Sequence, residues 1–159
     1  MAVDCFLKLD GVRGGSTDAK HKDEIELLAF TFAATQSGGT GSGGGGGAGK
    51  VQISGLSCTA VTGRAGPQLF QLCAEGKHLK QALLTVRKPG KTPFEFVKIK
   101  LEDVVVSSYS VGGGEADGLH DAFSLGFKRI TYDFVPQKPD GSADTPVHSG
   151  WDLGTNKKI

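Results

Sequence analysis

The chain has 159 residues, with 18 Lys plus Arg against 17 Asp plus Glu and 38% apolar side chains. That length buries one core without disulfide or metal staples, so residues 1–159 are expected to form a single domain. A net charge of +1 provides no basic footprint for nucleic acid or an anionic membrane surface. No apolar run reaches the length of a membrane span, and Asp4 and Lys8 interrupt the place where a signal peptide needs its apolar core. The expectation is a cytoplasmic protein that leaves the cell, if it does, by a route without an N-terminal signal.

The first element is a strand. "VDCFLKL" sets Val3, Cys5, Leu7 and Leu9 against Asp4, Phe6 and Lys8, and "DGVRGGSTDAKHKD" follows as a polar, Gly-rich loop. "EIELLAFTFAAT" reads as one second strand, with Leu28, Phe30 and Phe32 on one side and Ile25, Leu27 and Ala29 on the other. Both faces are apolar. Such a strand needs cover on two sides, from a two-sided core or from a neighbouring subunit.

Nine of the 25 glycines then fall in residues 38–49. Within this tract Gly44, Gly49 and Lys50 match the G-x-x-x-x-G-K spacing of a phosphate-binding loop. The next residue is Val51, which has no hydroxyl to ligate magnesium, and "KVQISGLSCTAVT" reads as a strand where such a loop would open a helix. A nucleotide site is not expected. The tract is a connection, too poor in side chains to pack a core of its own.

"GPQLFQLCAEGKH" carries Leu69, Leu72 and Cys73 at i, i+3 and i+4, with Pro67 suited to a first turn and Gly76 to a C-terminal cap. It predicts one helix of two to three turns. Strands resume in "QALLTVRK" and "PFEFVKIKLEDVVVSSYS", where Val97, Ile99 and Leu101 alternate with Lys98, Lys100 and Glu102, and "KPGKTP" between them reads as a hairpin turn. Further on, Phe123, Leu125 and Phe127 keep odd parity whereas Ile130, Tyr132 and Phe134 keep even parity, which marks a bulge or bend near Lys128 and Arg129. Residues 136–159, with Pro136, Pro139 and Pro146, read as loop in the main, with Trp151 docked. The fold class is mainly β: a sandwich or barrel of two packed antiparallel sheets with one short flanking helix.

No catalytic or cofactor set emerges. Cys5, Cys58 and Cys73 lack CxxC spacing and read as small apolar residues, and His21, His78, His120 and His148 are scattered, so no metal or cofactor is expected. His120 and Asp121 read as an exposed turn pair without a nucleophile.

"FLKLDGVRGGSTDAKHKDEIELLAF", "QSG…GGGGGAGKV", "LTVRKPG", "VSSYSVGGG" and "YDFVPQKPDG", in this order over nearly the whole chain, together resemble the haemolysin-coregulated protein (Hcp) family, the inner-tube subunits of bacterial type VI secretion systems. The resemblance implies a structural protein, not an enzyme. It implies hexameric rings that stack into a tube, expulsion by a contractile sheath behind a spike, and a lumen able to hold small effector proteins. Such a route needs no signal peptide. Phe30 and Phe32 stand where many family members have Trp-type aromatics.

On this resemblance the ring-stacking loop comprises Ser37, Gly38, Gly39, Thr40, Gly41, Ser42, Gly43, Gly44, Gly45, Gly46, Gly47, Ala48, Gly49 and Lys50. About twelve extended residues reach at most ~40 Å, so an out-and-back arm projects up to ~20 Å. Ring closure needs apolar surface on two sides of each subunit, for which Phe30, Phe32, Phe94, Phe96, Val104 and Val106 are the candidates, with core packing as the alternative for each. Two other functions stay open: a phage-like tail tube subunit, and a monomeric ligand-binding β-sandwich, which would need aromatics gathered from Tyr109, Tyr132 and Trp151.

Overall fold

The computed structural model describes residues 2–38 and 49–159. Among these, the elements run β1 (Asp4–Leu9), β2 (Ile25–Leu27), β3 (Ala29–Thr31), β4 (Ala34–Gln36), β5 (Val51–Ile53), β6 (Leu56–Val61), α1 (Ala65–Glu75), β7 (His78–Lys88), β8 (Phe94–Gly114), β9 (Gly118–Gly126), β10 (Arg129–Phe134), β11 (Val147–Asp152) and β12 (Lys157–Lys158). Ten strands pair antiparallel in the order β12-β11-β10-β8-β7-β1-β2, with a branch from β8 through β9 and β6 to β3; β4 and β5 form a separate pair. The mainly β class and the single short helix are as the sequence implies. The sheet folds over on itself as a sandwich and does not close as a barrel.

The fold turns on β8. Residues Phe94 to Val105 pair with β7, and Val97 to Glu102 also pair with β10; Val105 to Gly114 pair with β9. Between the two halves Asp103 adopts a left-handed backbone at φ 54. Val97, Ile99 and Leu101 point into the core before it, and Val104 and Val106 after it, so the buried parity changes from odd to even. The paired strand β7 changes in step, from Leu79 to Ala82, Leu84 and Val86. One long ribbon thereby presents an apolar side to both halves of the sandwich.

The expected second strand is divided at Leu28. β2 lies on β1 whereas β3 lies on β6, because this segment crosses from one half of the sandwich to the other. Ile25 and Leu27 are buried, but Leu28 is 58% exposed, its N–H donating to Thr59 O at 2.8 Å. The strand expected after the glycine tract is likewise divided, between β5 and β6. A Cβ at Gly55 would lie 2.8 Å from Leu125 O, so the close passage of β6 beside β9 demands glycine there.

The parity change near Arg129 is a change of partner. β9 pairs with β6 and the far half of β8, and β10 pairs with the near half of β8 and with β11. The tail departs from expectation: Val147–Asp152 is a strand on β10, and Trp151, opposite Ile130, packs half-buried against the core. Residues 136–146 are irregular apart from a bridge between Gln137 and Ala143. Helix α1 ends as the sequence predicts, at Gly76 with φ 62, whose N–H reaches Cys73 O while Lys77 N–H reaches Leu72 O. Leu69 is fully buried, with Leu72 and Cys73 packed beside it.

Residues 10–24 cover the outer side of β1, and this covering buries Phe6, which strand alternation alone would leave in solvent. His21 stacks on the Phe6 ring at 4.4 Å, and the Arg87 guanidinium sits 4.8 Å from the same ring centre. Arg87 donates from Nη1 and Nη2 to Asp18 at 3.1 and 2.5 Å and from Nε to Asp4 at 3.2 Å. Helix α1 holds the other side of the loop: Arg64 Nε donates to Gly14 O, and the Gln68 amide exchanges two hydrogen bonds with the Arg13 backbone. The loop is thus sewn to both a strand and the helix.

Leu69→Ala empties the main anchor of α1 and should cost about 2–5 kcal/mol, read as a lower urea midpoint with the far-ultraviolet β spectrum retained. The Arg87 guanidinium, by hydrogen bonding first, holds the Asp18 carboxyl down at about 2. A carboxyl lowered on folding stabilises fully above its unfolded value of about 3.9, and that contribution disappears as pH falls toward 2. Asp18→Asn should therefore lower the urea midpoint at neutral pH and reduce the loss that the parent chain suffers between about pH 4 and about pH 2; equal acid sensitivity in both would contradict the assignment.

Candidate functional site

The described surface is notable for apolar side chains, not for catalytic groups. On the sheet formed by β8, β10 and β11, Phe134 is 39% exposed, Tyr132 40% and Val147 61%. Phe134 meets Phe96 edge-on at 6.1 Å, and Tyr132 meets Phe32 at 6.2 Å. β3 pairs with β6 alone, so the sandwich is unsealed between β3 and β10. Phe30, Phe32, Phe96 and Tyr132 line the mouth of this opening, above Val86, Val97 and Ile99. Sharing Phe32 and Tyr132 with it, a groove of about 510 Å³ continues past Ile130 to Trp151 and the β4–β5 pair.

A second apolar face lies at the end of β6, where Leu28, 58% exposed, and Val61, 61% exposed, border one cavity. Leu28 N–H donates to Thr59 O beside it. Leu119, 56% exposed, points to the other side of the sheet, because its neighbour His120 is the residue paired with Val61. The two faces are built from different strands, and each exposes more than one large apolar group, where a scattered single residue would need no explanation.

Of the six interface residues that the sequence nominates, Phe30, Phe32, Phe94 and Phe96 are half-buried, and three of these line the opening. Val104 and Val106 are not on the surface. They are 0% and 1% exposed, because the left-handed turn at Asp103 reverses the facing of β8 and sends both into the core. Tyr132, Phe134, Val147 and Val61 are not among the interface residues that the sequence nominates. Alternation marks Ile130, Tyr132 and Phe134 as one face, but only the tertiary position of β10 leaves the latter two uncovered.

β4 and β5, on either side of the glycine tract in sequence, pair with Ala34 facing Ile53 and Gln36 facing Val51. The same ladder continues at its base through Ala33 and Ser54, whose backbone and hydroxyl groups exchange bonds of 2.7 and 2.8 Å. Ser37, Gly38 and Lys50 are exposed and Gly49 is half-exposed. Gly39, Thr40, Gly41, Ser42, Gly43, Gly44, Gly45, Gly46, Gly47 and Ala48 lie outside the described residues. Strand β5 begins at Val51, where a phosphate-binding loop would open a helix.

The polar groups inside the fold brace it. Asp121 is 2% exposed, contrary to the expected surface pair with His120; it lies within β9 and accepts from Tyr109 Oη at 2.8 Å and Thr62 Oγ1 at 3.1 Å. Burial first, then the Asp121 hydrogen bond and charge, push the Tyr109 hydroxyl up to about 12. A Cβ on Gly66 would come within 3.0 Å of that hydroxyl, so the brace seats the start of α1. Cys5 and Cys58 are buried, and burial raises both thiols, Cys58 to about 12, which leaves them protonated and inert. Among the described residues no three His, Cys, Asp or Glu side chains are placed to hold a metal, and no helix is long and apolar enough to cross a membrane.

Residues 6–134 match the family model for the type VI secretion system effector Hcp. Protein hcp1 of Pseudomonas aeruginosa is 44% identical over 159 residues, covering 98% of each chain. Hcp1 from Salmonella typhimurium superimposes with a TM-score of 0.83 at 34% identity over the full length of both chains. A further solved structure, described as a type six secretion system protein, gives 0.91 at 33% identity over 99% of this chain and 100% of the other. With the family model spanning most of the chain and relatives matched end to end, the chain belongs to the Hcp family of type VI secretion proteins.

Proposed function

We propose that this chain is a structural subunit of the type VI secretion tube, forming hexameric rings that stack head-to-tail, are expelled by the sheath and spike, and carry small effector proteins in the lumen. The observation that carries this reading is the presence of two apolar faces made from different strands of one subunit. A face that meets its own copy gives a dimer; two different faces that meet each other give a ring when the rotation closes. The unsealed mouth at Phe30, Phe32, Phe96 and Tyr132 is a place where a neighbour would complete the sandwich. Membership of the family supports the same assembly.

In this reading residues 37–50 stack rings and do not build them. The β4–β5 pair is a short two-stranded stem, of a kind that is marginal by itself, and a contact beyond the subunit gives its glycine-rich tip a use. A monomeric ligand-binding module is the second reading, and one observation favours it: Phe32, Tyr132 and Trp151 meet in a single groove. Tyr109 does not join them, being committed to Asp121.

Sedimentation separates the two readings. The parent chain should run near six times its chain mass. Phe134→Glu and Val61→Glu should each break the ring while leaving the folded spectrum unchanged, since each puts a charge on one exposed apolar face. Mixed together, the two variants retain one intact contact between them and should form dimers. A parent chain that stays monomeric across a wide concentration range would overturn the ring.

Replacing residues 38–49 with Asn-Gly should close β4 and β5 as a tight hairpin at little cost in stability. Rings should persist in electron micrographs while tubes and secretion are lost. Dissociation into monomers would instead place the tract in the ring contact, and normal tubes with normal secretion would make it an idle linker.

A further inference from the structure

Helix α1 lacks the outward charge of a helix that faces only water. Pro67, Phe70, Gln71 and Ala74 are exposed along it at i, i+3, i+4 and i+7, and Phe70 is 60% exposed. The one charged residue from Ala65 to Glu75 is Glu75 itself, at the end. An amphipathic surface helix turns its apolar stripe to the core and its charged side chains to solvent. Here the inward stripe is already supplied by Ala65 and Leu69, with Leu72 and Cys73 packed beside them. The helix is therefore apolar on a second side that nothing in the subunit covers.

The ribbon of β8 and β9 extends that second side. Tyr109 pairs with Phe123, Val111 with Asp121 and Gly113 with Leu119, so their side chains share one side of the ribbon. It is the side that carries α1, because the Phe70 ring meets the Tyr109 ring at 6.3 Å and the Tyr109 hydroxyl donates to Asp121 beside the helix start. Val111, 53% exposed, continues the apolar surface past Tyr109, and Leu119 continues it past Asp121. This surface uses none of the residues of the two faces described above.

Its electrostatics has one sign. Residues 101–127 include Glu102, Asp103, Glu115, Asp117 and Asp121 and no Lys or Arg. Glu115 and Asp117 are exposed at the hairpin tip, and among the described residues neither they nor Glu75 enters an ion pair. Of the cations beside α1, Arg64 is engaged by Gly14 O and Asp23, and Lys77 lies beyond the Gly76 cap. Whatever covers Phe70, Val111 and Leu119 meets uncompensated negative charge at its border.

We propose that the outer side of α1 and the β8–β9 ribbon form a docking surface for an amphipathic helix of a partner protein, which lays apolar side chains on Phe70, Val111 and Leu119 and sets Lys or Arg against Glu115 and Asp117. The 11 residues of α1 give a length of about 16 Å, enough to back about three turns of a second helix, and the small side chain of Ala74 lets the two axes come close. The docking surface belongs to the single subunit and holds whether or not rings form.

The test is fluorescence anisotropy on the intact protein with a labelled peptide of about 14 residues that forms a helix with Leu on one side and Lys on the other. It should bind saturably, one per chain, and a peptide of the same pattern with Glu in place of Lys should not. Phe70→Gln and Leu119→Gln, both at exposed positions, should each weaken binding at least about tenfold, whereas Val61→Gln on a different face should leave it unchanged. Glu115→Gln combined with Asp117→Asn should weaken binding and flatten its decline between about 50 and about 300 mM salt. Equal affinity of the parent and the Phe70→Gln and Leu119→Gln variants, or binding of the Glu peptide as tight as that of the Lys peptide, overturns the docking surface. So does a Phe70→Gln chain that sediments at a lower mass than the parent, because a second copy would then be what covers this side. A parent chain that is monomeric and still binds the Lys peptide in the expected pattern would overturn the ring and support the docking surface.

Discussion

The left-handed backbone at Asp103 is the constraint on which the rest of the structure depends. A strand of regular alternation has one buried side, and the 21 residues of β8 would then serve only one half of a sandwich. By reversing which side faces inward, Asp103 lets the first half of β8 carry β7 and β10 and the second half carry β9, with Val97 to Leu101 in one part of the core and Val104 with Val106 in the other. β7 reverses with it. β9 then brings in β6 and β3, and the crossing at Leu28 returns the chain to β1. A non-glycine residue with positive φ costs free energy, and here the long ladders on both sides hold it in place.

Polar groups take over where the sheets cannot seal themselves. The Arg87 fork on Asp18 is a two-pronged contact by a guanidinium only 9% exposed, a geometry far stronger than an open ion pair such as Lys100 with Glu102. It holds a loop that has almost no apolar side chains to hold itself. On the inside, Asp121 joins β9 to Tyr109 of β8 and to Thr62 just before the helix, at a spot where glycine at position 66 lets the helix start come close. These contacts fix the ends of the sandwich and leave one long side unsealed.

That unsealed side connects fold to function. A chain with open aromatic edges at Phe32, Phe96, Tyr132 and Phe134 and a second apolar face at Leu28 and Val61 exposes surface that water does not favour. The buried polar groups brace the fold, and both buried thiols are held protonated.

The sequence by itself determined the local elements: the alternation of β1 and of the first half of β8, the hairpin at KPGKTP, a helix stopped by Gly76, the want of a hydroxyl at Val51, and enough ordered likeness to place the family. Each of these depends on neighbours within a few residues, or on the order of short stretches along the chain. Tertiary structure decided what depends on pairing far along the chain. Phe6 is buried by a loop that alternation cannot see, Asp121 is enclosed because β9 lies between β6 and β8, and the tail at Val147–Asp152 becomes a strand because β10 offers it a free edge despite its prolines. Val104 and Val106 show the reason most directly: period-two patterning says which side chains share a side, but one residue in a left-handed conformation exchanges the two sides, and only the ladders around Asp103 choose where that exchange falls.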